Sequence, residues 1–417
     1  MSKHRAALPD TGAGTHRRWL ILVVLFVART AMGFQYQTIG SAAPYLIRAF
    51  QIDFAGIGTL IGLYHVAGVF LSLPSGLIVR WLGDKLECAI GLALMALGGI
   101  IVACSHGYGT AFAGRLVSSV GVILFNLVIT KMTADWFARR EIVLAMAVIL
   151  STWPFGIALG LFSQPWIAAL FGWRAMTGLA AGACVLSLLL IGLCYQSPGD
   201  EALAEPPPGA EANHRQALPA WPVLVPVVVA GTMWGMFNAG VVAYFSFVPV
   251  LLAERGGMTM ANAGALVSLA LWIGMLSIPL GGYVAQRSRR PGAITAVFCL
   301  IAALSLAMLV AGVPPMFACI ALGLAIGPPP GVITALPTRI LPAAERAGGF
   351  GIFYTLHYLF QSTGPAIAGW LHDAAGGNAA VLFSAAMFAI PVPLLLVFEV
   401  LVRRPAGTVA PRPAASH

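Results

Sequence analysis

Stretches of about 20 or more apolar residues follow one another along this chain, each long enough to cross the roughly 30 Å hydrocarbon layer of a bilayer as a helix. Twelve such spans are predicted, at approximately 19 to 43, 54 to 79, 87 to 104, 110 to 132, 141 to 163, 173 to 195, 221 to 247, 262 to 285, 292 to 311, 315 to 337, 347 to 370 and 378 to 401. Spanning barrel strands would instead be short and alternate apolar with polar residues, and no such pattern is present. Only 9% of the 417 residues are charged while 59% are hydrophobic, so the chain cannot cover itself with polar surface and its natural solvent is lipid.

Arg17 and Arg18 ahead of the first span resemble the start of a secretory signal, but Arg29 inside that span speaks against cleavage. The six cysteines all fall within or at the ends of spans, which makes them small apolar packers and provides neither a disulfide framework nor metal spacing. Of 23 basic residues, eighteen fall in loops and tails on the side of the N-terminus, and only Arg48, Arg174 and Arg255 on the other. The positive-inside rule then places both termini in the cytoplasm, in the inner (cytoplasmic) membrane. The net charge of +9 is a topology signal, and nucleic acid is not an expected partner.

The chain divides into a tail at 1 to 18, a six-helix bundle at 19 to 195, a linker at 196 to 220, a second bundle at 221 to 402 and a tail at 403 to 417. The linker holds Asp200, Glu201, Glu205, Pro206, Pro207, Pro208 and Glu211, a composition that stays flexible. The two bundles repeat each other: LSLPSG at 71 to 76 returns as LSIPLG at 276 to 281, and the same offset relates Pro44 to Pro249. Paired repeats flanking a linker are the sequence sign of alternating access, in which two bundles rock about a midplane site.

Over essentially its whole length the chain resembles the major facilitator superfamily, which implies an all-α membrane protein of two pseudo-symmetric six-helix bundles. That family carries Gly-x-x-x-Asp-Arg-x-Gly-Arg-Lys between its second and third helices. Here Gly76 and Gly83 match and Lys85 keeps the final basic residue, while Arg80 stands in place of the acid, Trp81 in place of the arginine and Asp84 in place of a basic residue. In the second half Gly282 and Arg287 match and Gln286 replaces the acid. The resemblance assigns Gly76, Arg80, Gly83, Asp84, Lys85, Gly282 and Arg287 to the conformational motif. In the fourth span Arg115 and Gly121 match an Arg-x-x-x-Gly-x-Gly pattern, with Ser119 in place of the middle glycine. The Gly-Pro signature of drug/proton antiporters is absent, since WPFGIALG at 153 to 160 puts proline before glycine; this favours uptake over efflux.

With the loop cations placed, Arg29 and Arg115 remain inside spans, and no acidic residue occupies the middle of a span. A charge at the bilayer centre costs at least about 2.5–3.5 kcal/mol, so it usually faces a wet cavity and serves transport. Two readings stand for each arginine: a brace on helix carbonyls and packing, or a guanidinium that forks onto an anion. Arg29, Gly33, Tyr36 and Gly40 share a stripe of the first span, and Arg115, Ser118, Ser119, Asn126 and Thr130 a stripe of the fourth. Trp234 stands at the repeat position of Arg29; with Asn238 and with Tyr354, His357 and Gln361 on one face of the eleventh span, it gives the second half an aromatic and polar wall. The expected substrate contacts are Arg29, Arg115, Tyr36, Asn126, Trp234, Asn238, Tyr354 and Gln361.

Arginines in the first and fourth spans resemble the anion:cation symporter branch, with the cyanate and nitrate porters as further possible relatives; the resemblance implies a small, organic anion as substrate. The acids that this branch commonly adds are replaced here by Ala28 and Val122, so coupling to a proton or cation falls on His357 and His65, the deep titratable side chains. The run from Gly327 to Gly331, with three prolines, must interrupt the tenth span, as a gate or as a static kink. Competing functions are an efflux pump for amphipathic compounds and a non-transporting sensor or membrane enzyme. Nucleotide-binding and zinc-protease motifs are missing, and no cofactor, metal or catalytic group is expected. The transporter is expected to work as a monomer.

Overall fold

The structure, a computed structural model, describes residues 12–72, 83–137, 141–196, 219, 221–342 and 345–403. Inside lipid each backbone N–H and C=O must find its partner within the segment, and the apolar stretches accordingly form helices. They are α1 (Gly12–Phe50), α2 (Phe54–Leu71), α3 (Asp84–Ala103), α4 (Tyr108–Phe137), α5 (Ile142–Cys194), α6 (Trp221–Glu254), α7 (Met260–Arg287), α8 (Pro291–Val310), α9 (Pro315–Ala325), α10 (Pro328–Ala335), α11 (Arg346–Ala375), α12 (Gly377–Ala389) and α13 (Pro391–Arg403).

Among the described residues these make twelve passes, because α5 is two passes, α9 and α10 together make one, and α12 and α13 make another. The 53-residue α5 bends at Gly172, whose φ of 82° and ψ of 159° lie in a region that only glycine enters freely. The break between α9 and α10 falls at Ile326 and Gly327, where three prolines remove backbone donors. The helices run longer than the apolar stretches suggest. The first continues past Pro44 to Phe50, and the fifth past Pro165 to the Gly172 bend, because packed neighbours make an internal proline tolerable in a membrane helix.

Leu170, Phe171, Phe70 and Leu193 point outward as a lipid-facing surface, whereas small residues line the helix contacts. α1 packs along the first leg of α5, and the two halves meet chiefly where α2 crosses α11 and where α5 meets α7. At the α2–α11 crossing Gly62 faces the Ser362 carbonyl so closely that a Cβ at Gly62 would collide with it.

The inter-half contact is one-sided. α2 begins and α11 ends on the membrane side away from the linker, and there the Asp373 carboxylate accepts the backbone N–H groups of Phe54 at 3.0 Å and Ala55 at 2.8 Å. Toward the linker side the halves diverge around a cavity of about 720 Å³ whose lining reaches Ser72, Thr130, Met146 and Phe350, all near the linker-side ends of their helices.

Candidate functional site

Arg29 lies midway along α1, a helix long enough to place it in the hydrocarbon layer, and it lines this central cavity while only 8% exposed. Its guanidinium makes no hydrogen bond among the described residues, and Nε and Nη1 are buried without an acceptor. Among the described residues no Asp, Glu or Lys lines the cavity, and Arg29 is the one fixed charge on its wall. A buried ion without a partner normally costs several kcal/mol, which singles this group out as one that awaits an acceptor.

Around it stand aromatic rings from both halves. His357 and Trp234 stack at 5.5 Å with planes 20° apart, and Trp234 in turn stacks on Phe237 at 6.0 Å. Tyr358 lies 5.0 Å from His357 and 6.0 Å from His65, which meets Trp153 edge-on at 5.7 Å. Asn126 donates to the Tyr358 hydroxyl at 3.2 Å, a bond that crosses from one half to the other. Asn238 donates to the Trp234 carbonyl at 2.8 Å. Trp234 Nε1 and the Nδ1 atoms of His65 and His357 are buried without a protein partner, like the Arg29 donors.

The structure therefore brings together Arg29, Asn126, Trp234, Asn238, Tyr354 and Gln361, together with His357 and His65, on one cavity. It leaves out Arg115 and Tyr36. Arg115, 2% exposed, donates from Nε to the Leu60 carbonyl at 2.9 Å and from Nη2 to that of Ile61 at 3.5 Å, with its guanidinium 4.3 Å from the Tyr64 ring centroid. It braces α4 against α2, so the cavity-facing reading is replaced by the packing one. Tyr36 lies seven residues beyond Arg29, about 10 Å further along α1. It has passed the level where the halves close and is wedged among the rings of Tyr64, His65, Trp153 and Phe245.

Trp153 and Tyr358 are lining residues that the sequence reading missed. Tyr358 was visible in principle, since 354, 357, 358 and 361 follow the i, i+3, i+4, i+7 spacing of one helix face. Trp153 carries no such signal, because its helix is apolar all round.

Of the motif residues, Gly76 and Arg80 lie outside the described residues. Gly83, at φ 73°, precedes α3, whose first residue Asp84 pairs with Lys131 on α4; Lys131 also pairs with Asp135 at 3.1 Å. Lys85 donates to the carbonyls of Gly192 at 2.9 Å and Tyr195 at 2.8 Å. All these ties stay within one half. In the other half the Arg287 guanidinium lies 4.6 Å from the Tyr283 ring centroid, and a Cβ at Gly282 would meet nothing within 4 Å.

Two halves of six passes around a central cavity describe a transporter architecture, and a family comparison decides which one. Residues 25–336 match the family model of the Major Facilitator Superfamily. The chain belongs to the major facilitator superfamily. Its relatives in that superfamily include a putative tartrate transporter of Agrobacterium vitis, 24% identical over 433 aligned residues that cover 94% of each chain. Another is the probable galactarate/D-glucarate transporter GudP of Pseudomonas putida, 26% identical over 316 residues, 67% of this chain and 66% of that one. Among solved structures, a bacterial homolog of the human lysosomal transporter Spinster, inward-facing and unoccupied, superposes with a TM-score of 0.73 at 13% identity, covering 92% of this chain and 96% of the other.

Proposed function

We propose that this member of the superfamily is a secondary active transporter that moves a small organic anion across the cytoplasmic membrane by alternating access. The observation that carries the reading is Arg29: a buried, unpaired, fixed cation on the wall of the cavity between the two halves. Relatives named for tartrate and for galactarate/D-glucarate support an organic anion as the class. Arg29 binds the anion, with Asn126, Trp234, Asn238, Tyr354 and Gln361 around it. His357 and His65 carry a co-transported proton if the cycle is proton-driven, since no acid among the described residues lines the cavity.

The halves are 19–195 and 221–402, with the linker and both tails in the cytoplasm. In that orientation the cavity faces inward, and the Asp373 closure lies on the outer face. Asp84, Lys85 and Lys131 hold the inner ends of one half together while it moves. Uptake of radiolabelled organic anions into proteoliposomes holding the purified protein tests the function. Arg29-dependent accumulation is expected, and the same flux from Arg29→Gln protein as from wild type would sink the assignment.

A further inference from the structure

The chemistry of the lining says more about the cargo than its sign of charge. Among the described residues one fixed cation serves the cavity, and no second lysine or arginine lies on the wall to meet a second carboxylate. An additional anionic group would enter a largely desolvated space without a partner, and burying a charge unpaired is among the heaviest penalties in a protein.

The neutral polar groups are few and partly committed. The Asn126 amide already donates to Tyr358, and the Asn238 amide to the Trp234 carbonyl, so that Thr130, Gln361 and the unpartnered ring nitrogens of Trp234, His65 and His357 remain to answer substrate hydroxyls. Ring faces are plentiful by contrast. Tyr354 and Tyr358 lie within electrostatic reach of Arg29, and the Trp234–His357 stack continues the same wall, with His357 on the same face of α11 as the two tyrosines. A flat π-system gains by stacking its whole face there, whereas a polyhydroxylated chain offers those rings only its C–H edges.

We propose that the cavity selects an aromatic monocarboxylate, its single carboxylate on Arg29 and its ring against Tyr354, Tyr358 and Trp234. The selection departs from the dicarboxylic sugar acids for which the tartrate and galactarate/D-glucarate relatives are named, and agrees with two other relatives named for the aromatic acids 4-hydroxybenzoate and gallate. It rests on the reading of Arg29 as the anion-binding group.

Four sodium salts separate charge from ring character: benzoate, isophthalate, D-gluconate and D-glucarate, each titrated calorimetrically into purified wild-type protein. Benzoate is expected to bind at least about tenfold tighter than isophthalate, which adds one unpaired carboxylate, and tighter than gluconate, which trades the ring for hydroxyls; glucarate should be weakest. Trp234→Leu should weaken benzoate by roughly three- to tenfold, and by a larger factor than it weakens gluconate. Gluconate or glucarate binding as tightly as benzoate, in an Arg29-dependent manner, would overturn the selectivity and leave anion transport standing. Binding of none of the four, or binding indifferent to Arg29→Gln, would take down both. The ligand series uses wild-type protein, so a variant that fails to fold does not obstruct the result.

Discussion

Asp373, the third residue from the end of α11, caps the helix that begins at Phe54: its Oδ1 accepts the Phe54 N–H at 3.0 Å, although 319 residues separate the two. Asp53 caps the same helix from within its own half, through the N–H of Gly56 at 2.8 Å. The first turn of α2 thus has one acid from each half, and of these two caps only that of Asp373 must break for the halves to part on this side. Removing a helix N-cap costs about 0.5–2 kcal/mol, so Asp373→Ala should shift the closed-to-open ratio roughly two- to thirtyfold. Spin labels at Gln51 and Asn378 would report this as a growing long-distance population. An unchanged distance distribution would mean that the closure is held elsewhere.

The crossing of α2 over α11 sets a second condition for closure. A methyl group at Gly62 meets the Ser362 carbonyl, a backbone atom that cannot swing aside. Gly62→Ala should therefore leave each half folded but prevent the halves from meeting, with transport at least about tenfold slower. Wild-type transport by a monodisperse Gly62→Ala protein would refute the requirement for this close approach.

Arg29 and Arg115 should behave as opposites. Losing a hydrogen bond to a charged group costs about 1.5–3 kcal/mol, so Arg29→Gln should weaken substrate binding about ten- to a hundredfold, with Arg29→Lys intermediate because an ammonium lacks the planar donors. Arg115→Gln should instead lower thermal stability, through the lost bond to Leu60 and the lost contact with Tyr64, and leave affinity as it was. Equal affinity losses in both would contradict the distinction between cavity and brace.

Proton coupling, where it operates, should run through His65 and His357, both on the cavity, which no carboxylate among the described residues lines. A His65→Gln, His357→Gln protein should still equilibrate its substrate but no longer concentrate it against a gradient when only a pH difference drives the vesicles. Undiminished pH-driven accumulation would rule out both histidines as the proton carriers.

The passes were legible in the sequence because lipid reduces the problem to length and apolarity, and those are one-dimensional. Helix ends were less so: the predicted spans stop at 43 and 163, yet packing in the membrane carries the helices on through Pro44 and Pro165. The cavity was legible on α1 and α11, where a helical stripe mixes charge, aromatic and amide groups against an apolar background. It failed at Tyr36 and Arg115, because a stripe gives the direction that a side chain faces and not the depth at which the two halves close. Trp153 went unseen for the complementary reason, since an aromatic residue on an all-apolar helix is indistinguishable by sequence from one that faces lipid.

The joins at Gly172 and Gly376 also bear on mechanics. Each is a single residue with φ above 80°, standing between two long helical segments with no loop to take up slack. Helices coupled so tightly cannot slide past one another, so the two legs of α5 travel as one lever, as do α11 and α12. Whatever compliance these paired helices need must come from their other ends. On the Gly172 face, a protease or an antibody would find its grip at 255–257 and 311–312, where the chain is exposed between helices, and not at the two glycine joins.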